Sequence, residues 1–103
     1  MLSRELRGKG LEILEIVSHP IRWEILNVIR RRGELDLLSV HEFFPDKDLR
    51  SIRPHLHILE MFEILSSELE DREGVITRVF YLTEKGKRIF DLLSSVLHEM
   101  EGC

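Results

Sequence analysis

The spacing of apolar residues changes twice along this chain of 103 residues. Up to about residue 62, apolar side chains recur every three or four positions, as on helices with one buried face. Ile64, Leu65 and Leu69 then open a strand-like segment, and residues 75–82 are rich in β-branched and aromatic residues. A polar, glycine-bearing turn at 70–74 separates the two. Helical spacing returns over 84–100. The pattern predicts a mainly α (α+β) fold with the order α-α-α-α-β-β-α.

Proline, glycine and short polar residues predict where the first three helices begin and end. Pro20 disfavours helix in the residue before it and suits the first turn of a second helix. Gly33 follows three arginines and is a suitable C-cap for that helix. Ser39 precedes Glu42 by three residues, which predicts a capping box at the start of the third helix, with Asp36 as an alternative start.

Segment 49–60 predicts a fourth helix whose two faces differ. Asp48 is the expected N-cap, and Ile52, Leu56 and Leu59 recur at helical spacing and should face inward. Pro54 is expected either to kink this helix or to move its start to Arg53. The opposite face carries the polar or cationic side chains of Arg50, Ser51, Arg53 and His57.

Charge is unevenly distributed along the chain. Fifteen Lys and Arg face nineteen Asp and Glu, and the resulting net charge of −4 argues against strong non-specific binding to nucleic acid. Segment 50–57, however, contains no acidic residue. Helices three and four form a helix-turn-helix pattern, and the hairpin after them has the position of a wing. A locally cationic helix there favours insertion into a DNA major groove.

Four short motifs resemble known winged-helix regulators. Residues 18–26 (SHPIRWEIL), 38–42 (LSVHE) and 53–59 (RPHLHIL) resemble motifs of the arsenic-repressor (ArsR) family. Residues 81–86 (YLTEKG) are similar to the close of the wing in the related multiple-antibiotic-resistance (MarR) regulators. The similarity covers about residues 11–95 and departs from the family at Pro54 and at Glu63, which occupies the place of a common glycine.

The resemblance implies a homodimeric transcription factor that binds double-stranded DNA. Such proteins dimerise through their first and last helices and place two recognition helices in successive major grooves. By position, bases would be read by Arg50, Ser51, Arg53 and His57. Arg72 at the wing tip and Arg78 beside it would meet phosphates or the minor groove. The family's metal sites do not carry over, because the chain lacks a Cys-x-Cys cluster, and we expect neither metal nor cofactor.

Length and composition bound the remaining expectations. A 43% apolar content over 103 residues predicts one compact domain. We expect it to be a single winged-helix domain spanning 1–103, with residues 1–10 as a flexible basic arm. Segment 84–100 should be a dimerisation helix, because its apolar face is wider than one small core needs. No apolar run approaches the roughly 18 residues of a membrane span, and the N-terminus lacks a secretory signal, so we expect a cytoplasmic protein. Cys103 is either an inert tail thiol or a bridge between two chains.

Two functional hypotheses follow. The first is a dimeric, sequence-specific DNA-binding regulator, a repressor, that reads the major groove with residues 49–60 and flanks the DNA with the wing around 70–76. The alternative is a winged-helix module for protein–protein interaction without DNA binding. The acidic balance favours the alternative, and the acid-free segment 50–57 favours the first. We do not expect an enzyme, because the sequence has no glycine-rich phosphate loop and no nucleophile–base motif.

Overall fold

The first two helices meet at a proline, as the sequence predicts. The structure is a computed structural model that describes residues 12–101, so the predicted basic arm and Cys103 lie outside the described residues. Residues 12–18 form helix α1, and Pro20–Arg32 form helix α2. His19 caps α2, its Nδ1 accepting the N–H of Ile21 over 3.3 Å. Gly33 ends α2 with a φ of +89°, and its N–H donates to the Ile29 carbonyl over 2.7 Å.

The predicted capping box at Ser39 is wrong. Strand β1 (Leu35–Asp36) and a 3-10 turn (Leu37–Ser39) precede the short helix α3 (Val40–Phe43), and the side chain of Ser39 makes no capping hydrogen bond. Helix α3 still begins directly after Ser39, as predicted, and the alternative start, Asp36, caps the 3-10 turn, its Oδ1 accepting the N–H of Leu38 over 3.0 Å. Asp36 lies at the end of β1, directly before the 3-10 turn, so its carboxylate can accept an N–H group of that turn.

Helix α4 spans Leu49–Met61 and contains Pro54 in its interior, so the proline does not move the start of the helix. Asp48 is its N-cap, as predicted, with Oδ1 accepting the N–H of Ser51 over 3.0 Å. The helix therefore begins at Leu49 and not at Arg53. Pro54 lacks the N–H that would bond the Arg50 carbonyl, and since both residues are exposed, that carbonyl lies on the solvent side of the helix. The inward face of α4 is confirmed by three fully buried residues, Ile52, Leu56 and Leu59.

The wing is longer and its turn tighter than the sequence suggests. Strands β2 (Leu65–Arg72) and β3 (Val75–Leu82) pair antiparallel, and only Glu73 and Gly74 connect them. Both residues have positive φ, +55° and +85°, which is the geometry of a two-residue type I′ hairpin. The predicted turn at 70–74 thus includes three residues that belong to β2.

Strand β1, which the sequence analysis missed, completes a three-stranded sheet in the order β1-β3-β2. It pairs with the second half of β3, Leu35 opposite Phe80 and Asp36 opposite Val79. Side chains alternate across a strand, so the face that bears Leu65, Phe80 and Leu82 packs on the helical core. The other face bears Glu70, Arg72, Thr77 and Tyr81.

Helix α5 (Glu84–Glu101) is anchored to the sheet by its first turn. Oγ1 of Thr83 accepts the N–H of Gly86 over 2.9 Å, which caps the helix. At Gly86 the helix backbone approaches the Ile64 carbonyl so closely that an added Cβ would lie 2.1 Å from the carbonyl oxygen. Before strand β2 begins, Glu63 adopts a φ of +59°, in the left-handed region that favours glycine. Within residues 12–101, no helix is long and apolar enough to cross a membrane.

Candidate nucleic-acid interface

Helix α4 presents its polar face to solvent. Arg50, Ser51, Arg53 and His57 are all exposed there. None of the ion pairs within residues 12–101 involves Arg50 or Arg53, so these two cations are not neutralised by a neighbouring carboxylate in the described part of the chain. Ser51 is different, because its hydroxyl donates to the Asp48 carbonyl over 2.8 Å. Its proton stabilises the start of the helix, and only its acceptor lone pairs face outward.

Three of the predicted residues share one groove between α4 and the sheet. Arg53 and His57 line it from α4, and Arg78 lines it from β3. The groove has a volume of about 310 Å³, and the apolar residues that border it are Leu37, Leu56 and Phe80. Arg50 and Ser51 lie one turn earlier on the same helix and do not line it. Glu60 also lines the groove, so two guanidinium groups face one carboxylate there. The two arginines suit a phosphate-bearing ligand.

The guanidinium of Arg72 forms ion pairs with two carboxylates at the wing. It contacts Glu34 at 2.6 Å and Glu70 at 2.8 Å, and Tyr81 donates a short hydrogen bond to the second oxygen of Glu70. The hydroxyl of Tyr81 and, after it, the guanidinium of Arg72 lower the pKa of Glu70. The hydrogen bond to Glu70 also raises the pKa of Tyr81, and the two carboxylates raise that of Arg72.

The same face of the sheet carries a second carboxylate contact. Thr77 is buried, and its hydroxyl donates to Oδ1 of Asp36 over 2.7 Å. Asp36 therefore both starts the 3-10 turn and bonds the middle of the wing. Strand alternation alone would have placed Glu70 and Arg72 together. The sequence analysis did not predict the contacts of Glu34 with Arg72 and of Asp36 with Thr77. Both depend on strand β1, which is too short to show an alternating pattern.

The inner side of α4 is fixed by a cluster of two histidines and an arginine. Nε of Arg22 donates to Nδ1 of His55 over 3.1 Å, and Nη1 of Arg22 donates to the Ile16 carbonyl over 3.2 Å. The rings of His55 and His19 lie with their centroids 4.6 Å apart. Burial, and then the nearby His19 and Arg22, lower the pKa of His55. The cluster joins α1, α2 and the middle of α4, a link the sequence pattern did not reveal.

A second, apolar groove of about 370 Å³ lies between α1, α2 and α5. Trp23 borders it and stacks on Phe90 of α5 with ring centroids 4.8 Å apart, so Trp23 anchors the last helix. Three large apolar residues of its lining, Leu14, Val96 and Leu97, remain exposed.

The described part of the chain holds no cluster of three or more potential metal ligands among His, Cys, Asp and Glu. Asp91, one of the acidic residues near the end of the chain, is engaged by Arg30. The guanidinium donates to both carboxylate oxygens, at 3.0 and 3.2 Å. This pair lowers the pKa of Asp91 and joins α5 to α2.

Comparisons with known proteins identify the fold. No protein-family model matches the chain, and no curated protein matches it in sequence. Among solved structures, a transcriptional regulator homologue of Pyrococcus horikoshii superposes with a TM-score of 0.74 at 18% identity, covering 91% of this chain and 93% of its own. The antimony-specific transcriptional repressor AntR gives 0.75 at 13% identity, covering 100% and 89%. Diamide-treated YodB of B. subtilis gives 0.69 at 20% identity, covering 99% and 91%. The chain thus has the winged-helix fold of transcriptional regulators.

Proposed function

We propose that this protein is a dimeric, sequence-specific DNA-binding transcription regulator that acts as a repressor. The single observation that carries the proposal is the division of α4 into two faces. Ile52, Leu56 and Leu59 hold the helix in the core, and the opposite face presents cations that no carboxylate of residues 12–101 neutralises. An exposed helix of this kind fits the major groove, where arginine pairs with guanine O6 and N7.

The assignment of site residues follows from their surroundings. Arg50, Arg53 and His57 are proposed to contact base edges, and Ser51 to accept a hydrogen bond from a base amino group. Arg78 is proposed to contact the DNA backbone from the wing. Arg72 was expected to do the same, but its donors already face two carboxylates, so we assign it to the internal structure of the wing.

Dimerisation is proposed through the terminal helices. The apolar groove between α1, α2 and α5 is bordered by exposed leucine and valine side chains that a second copy of the chain would cover. Two copies related by a twofold axis would present two α4 helices to a palindromic site. The ArsR-like motifs and the fold shared with the repressor AntR support a repressor of this architecture.

Binding to DNA is tested directly by fluorescence anisotropy with labelled duplexes. The duplex upstream of the protein's own gene is compared with a scrambled duplex over a salt series. We expect tighter binding to the upstream duplex, and an affinity whose logarithm falls linearly with log salt at about −0.9 per phosphate contact. Arg50→Ala with Arg53→Ala should weaken specific binding at least about tenfold. The matched double variant Arg31→Ala with Arg88→Ala removes the same charge from exposed sites on α2 and α5 and should leave specificity unchanged.

A second candidate function is protein docking, and the wing favours it. Exposed carboxylates lie along the wing at Glu68, Asp71 and Glu73, where a DNA backbone would be repelled. Absence of binding to any duplex at low salt, by a folded protein, would select this function over DNA binding.

A further inference from the structure

Two hydrogen bonds in series join the last turn of α4 to the wing. Oγ of Ser67 donates to Oε2 of Glu60 over 2.6 Å, and Nη1 of Arg78 donates to the same Oγ over 3.0 Å. Their direction follows from the chemistry, because an ionised carboxylate only accepts and a guanidinium only donates. The Ser67 hydroxyl therefore gives its proton to Glu60 and offers a lone pair to Arg78.

This chain of bonds borders the groove between α4 and the sheet. Glu60 lies on the same stripe of α4 as Arg53 and His57, seven and three residues after them, and all three line the groove with Arg78. Ser67 is half-buried, and on β2 it lies diagonal to Arg78 on the same face of the sheet. The bonds thus set the position of Arg78 relative to Arg53 and His57.

The two arginines of the wing are held in different ways. Arg72 contacts two carboxylates directly, at 2.6 and 2.8 Å. Arg78 reaches Glu60 through a neutral hydroxyl, and within residues 12–101 it forms no ion pair. Because the bond to Ser67 engages one of five guanidinium N–H groups, Arg78 keeps donors and a positive charge for a phosphate oxygen.

We propose that Ser67 and Glu60 are positioning residues that hold Arg78 against this groove, so that Arg78 binds the DNA backbone beside the bases that Arg53 and His57 contact. The inference rests on the proposed function, DNA binding by α4. It adds that a side-chain contact between α4 and β2 holds Arg78 in position, and that Ser67 acts through Arg78 without touching the DNA.

The test compares four variants with the wild-type protein by anisotropy on the duplex it prefers, over a salt series. Arg78→Ala and Ser67→Ala should each weaken binding roughly three- to tenfold and reduce the salt slope by up to about 0.9. Ser67→Thr retains the hydroxyl and should bind like the wild type. Ser67→Ala added to Arg78→Ala should cause no further loss. Thermal unfolding by circular dichroism shows whether each variant is folded.

A fifth variant separates positioning from charge. Glu60→Ala removes a negative charge from the groove, so a purely repulsive role predicts tighter binding. Positioning predicts weaker binding, as with Ser67→Ala. Tighter binding would overturn the role of Glu60, and wild-type affinity of folded Ser67→Ala would overturn that of Ser67. Wild-type affinity of Arg78→Ala would overturn the inference as a whole. Failure of the wild-type protein to bind any duplex would refute the proposed function itself, a result distinct from these three.

Discussion

Arg22 donates a hydrogen bond to Nδ1 of His55 and so ties helix α2 to the middle of helix α4. The bond requires an unprotonated Nδ1, because imidazolium has no lone pair to accept with. His55 also lies against His19. The inner side of the proposed reading helix therefore depends on the protonation state of one half-buried histidine.

We expect the stability of the protein to fall as the pH drops below about 6.5, the ordinary pKa of histidine. The pKa of His55 is lower in the folded state, by burial and by the nearby His19 and Arg22. The unfolded chain therefore binds more protons between the folded pKa and 6.5, and acid favours unfolding in that window. Above 6.5 this residue contributes no pH dependence. Urea unfolding at pH 5.5 and 7.5 measures the difference.

His55→Asn provides the comparison for this prediction. Asparagine keeps an oxygen near the position of Nδ1 to accept from Arg22 but does not titrate, so the loss of stability between pH 7.5 and 5.5 should shrink. His41→Asn changes an exposed histidine and should leave the pH dependence as it is. Equal pH dependence in wild type and His55→Asn would contradict the prediction.

Arg72 should matter to the wing more than to DNA. Arg72→Ala leaves Glu34 and Glu70 facing each other without their cation, so we expect a lower thermal midpoint. DNA affinity should change by less than about twofold, because the two carboxylates already neutralise the charge of Arg72. Arg78→Ala is the matched variant and should show the reverse, a reduced salt slope with an unchanged midpoint. A reduced salt slope for Arg72→Ala would show that it contacts phosphate after all.

Gly86→Ala should be among the most damaging single changes in the chain. The added methyl carbon would lie 2.1 Å from the Ile64 carbonyl oxygen, so α5 must move off the sheet. We expect a loss of about 3 kcal/mol in the free energy of unfolding, measured with urea. Gly33→Ala is the control: at a φ of +89° with no atom nearby, it should cost about 1 kcal/mol of backbone strain. Comparable losses of unfolding free energy for both variants would mean that α5 can shift away from Ile64 at little cost.

The wild-type protein should sediment at twice its chain mass of 12.2 kDa at micromolar concentration. Leu97 is 43% exposed beside the apolar groove, so Leu97→Glu should leave the fold of the chain intact and give a monomer. Ile76→Glu makes the same change at an exposed site on the wing and should leave a dimer. A monomeric wild type would remove the proposed interface.

The sequence predicted the helices and the hairpin because their signals are local. Pro20, Gly33 and Asp48 act on their own turn of backbone, and the stripe of Ile52, Leu56 and Leu59 is readable from spacing alone. The start of α3 after Ser39 was predicted, but strand β1 was missed because two residues are too few to show a pattern. That strand exists only through its pairing with β3, more than forty residues later.

The candidate site was predicted in its residue types but not in its partners. The exposed cations of α4 followed from helical periodicity. The pairing of Arg72 with Glu34 and the link from Arg78 through Ser67 to Glu60 join residues distant in sequence, and no local pattern encodes them. The Arg22–His55 hydrogen bond joins residues 33 positions apart, and the sequence pattern did not predict it either.

The two-residue turn at Glu73–Gly74 has a consequence for the order of folding. Strands β2 and β3 are neighbours in sequence, so this hairpin closes a short loop and forms on the microsecond scale. We expect strand β1 to join later, because Asp36 and Thr77 are 41 residues apart and closing the longer loop costs more entropy. The Asp36–Thr77 bond would then form after the hairpin, when the third strand completes the sheet.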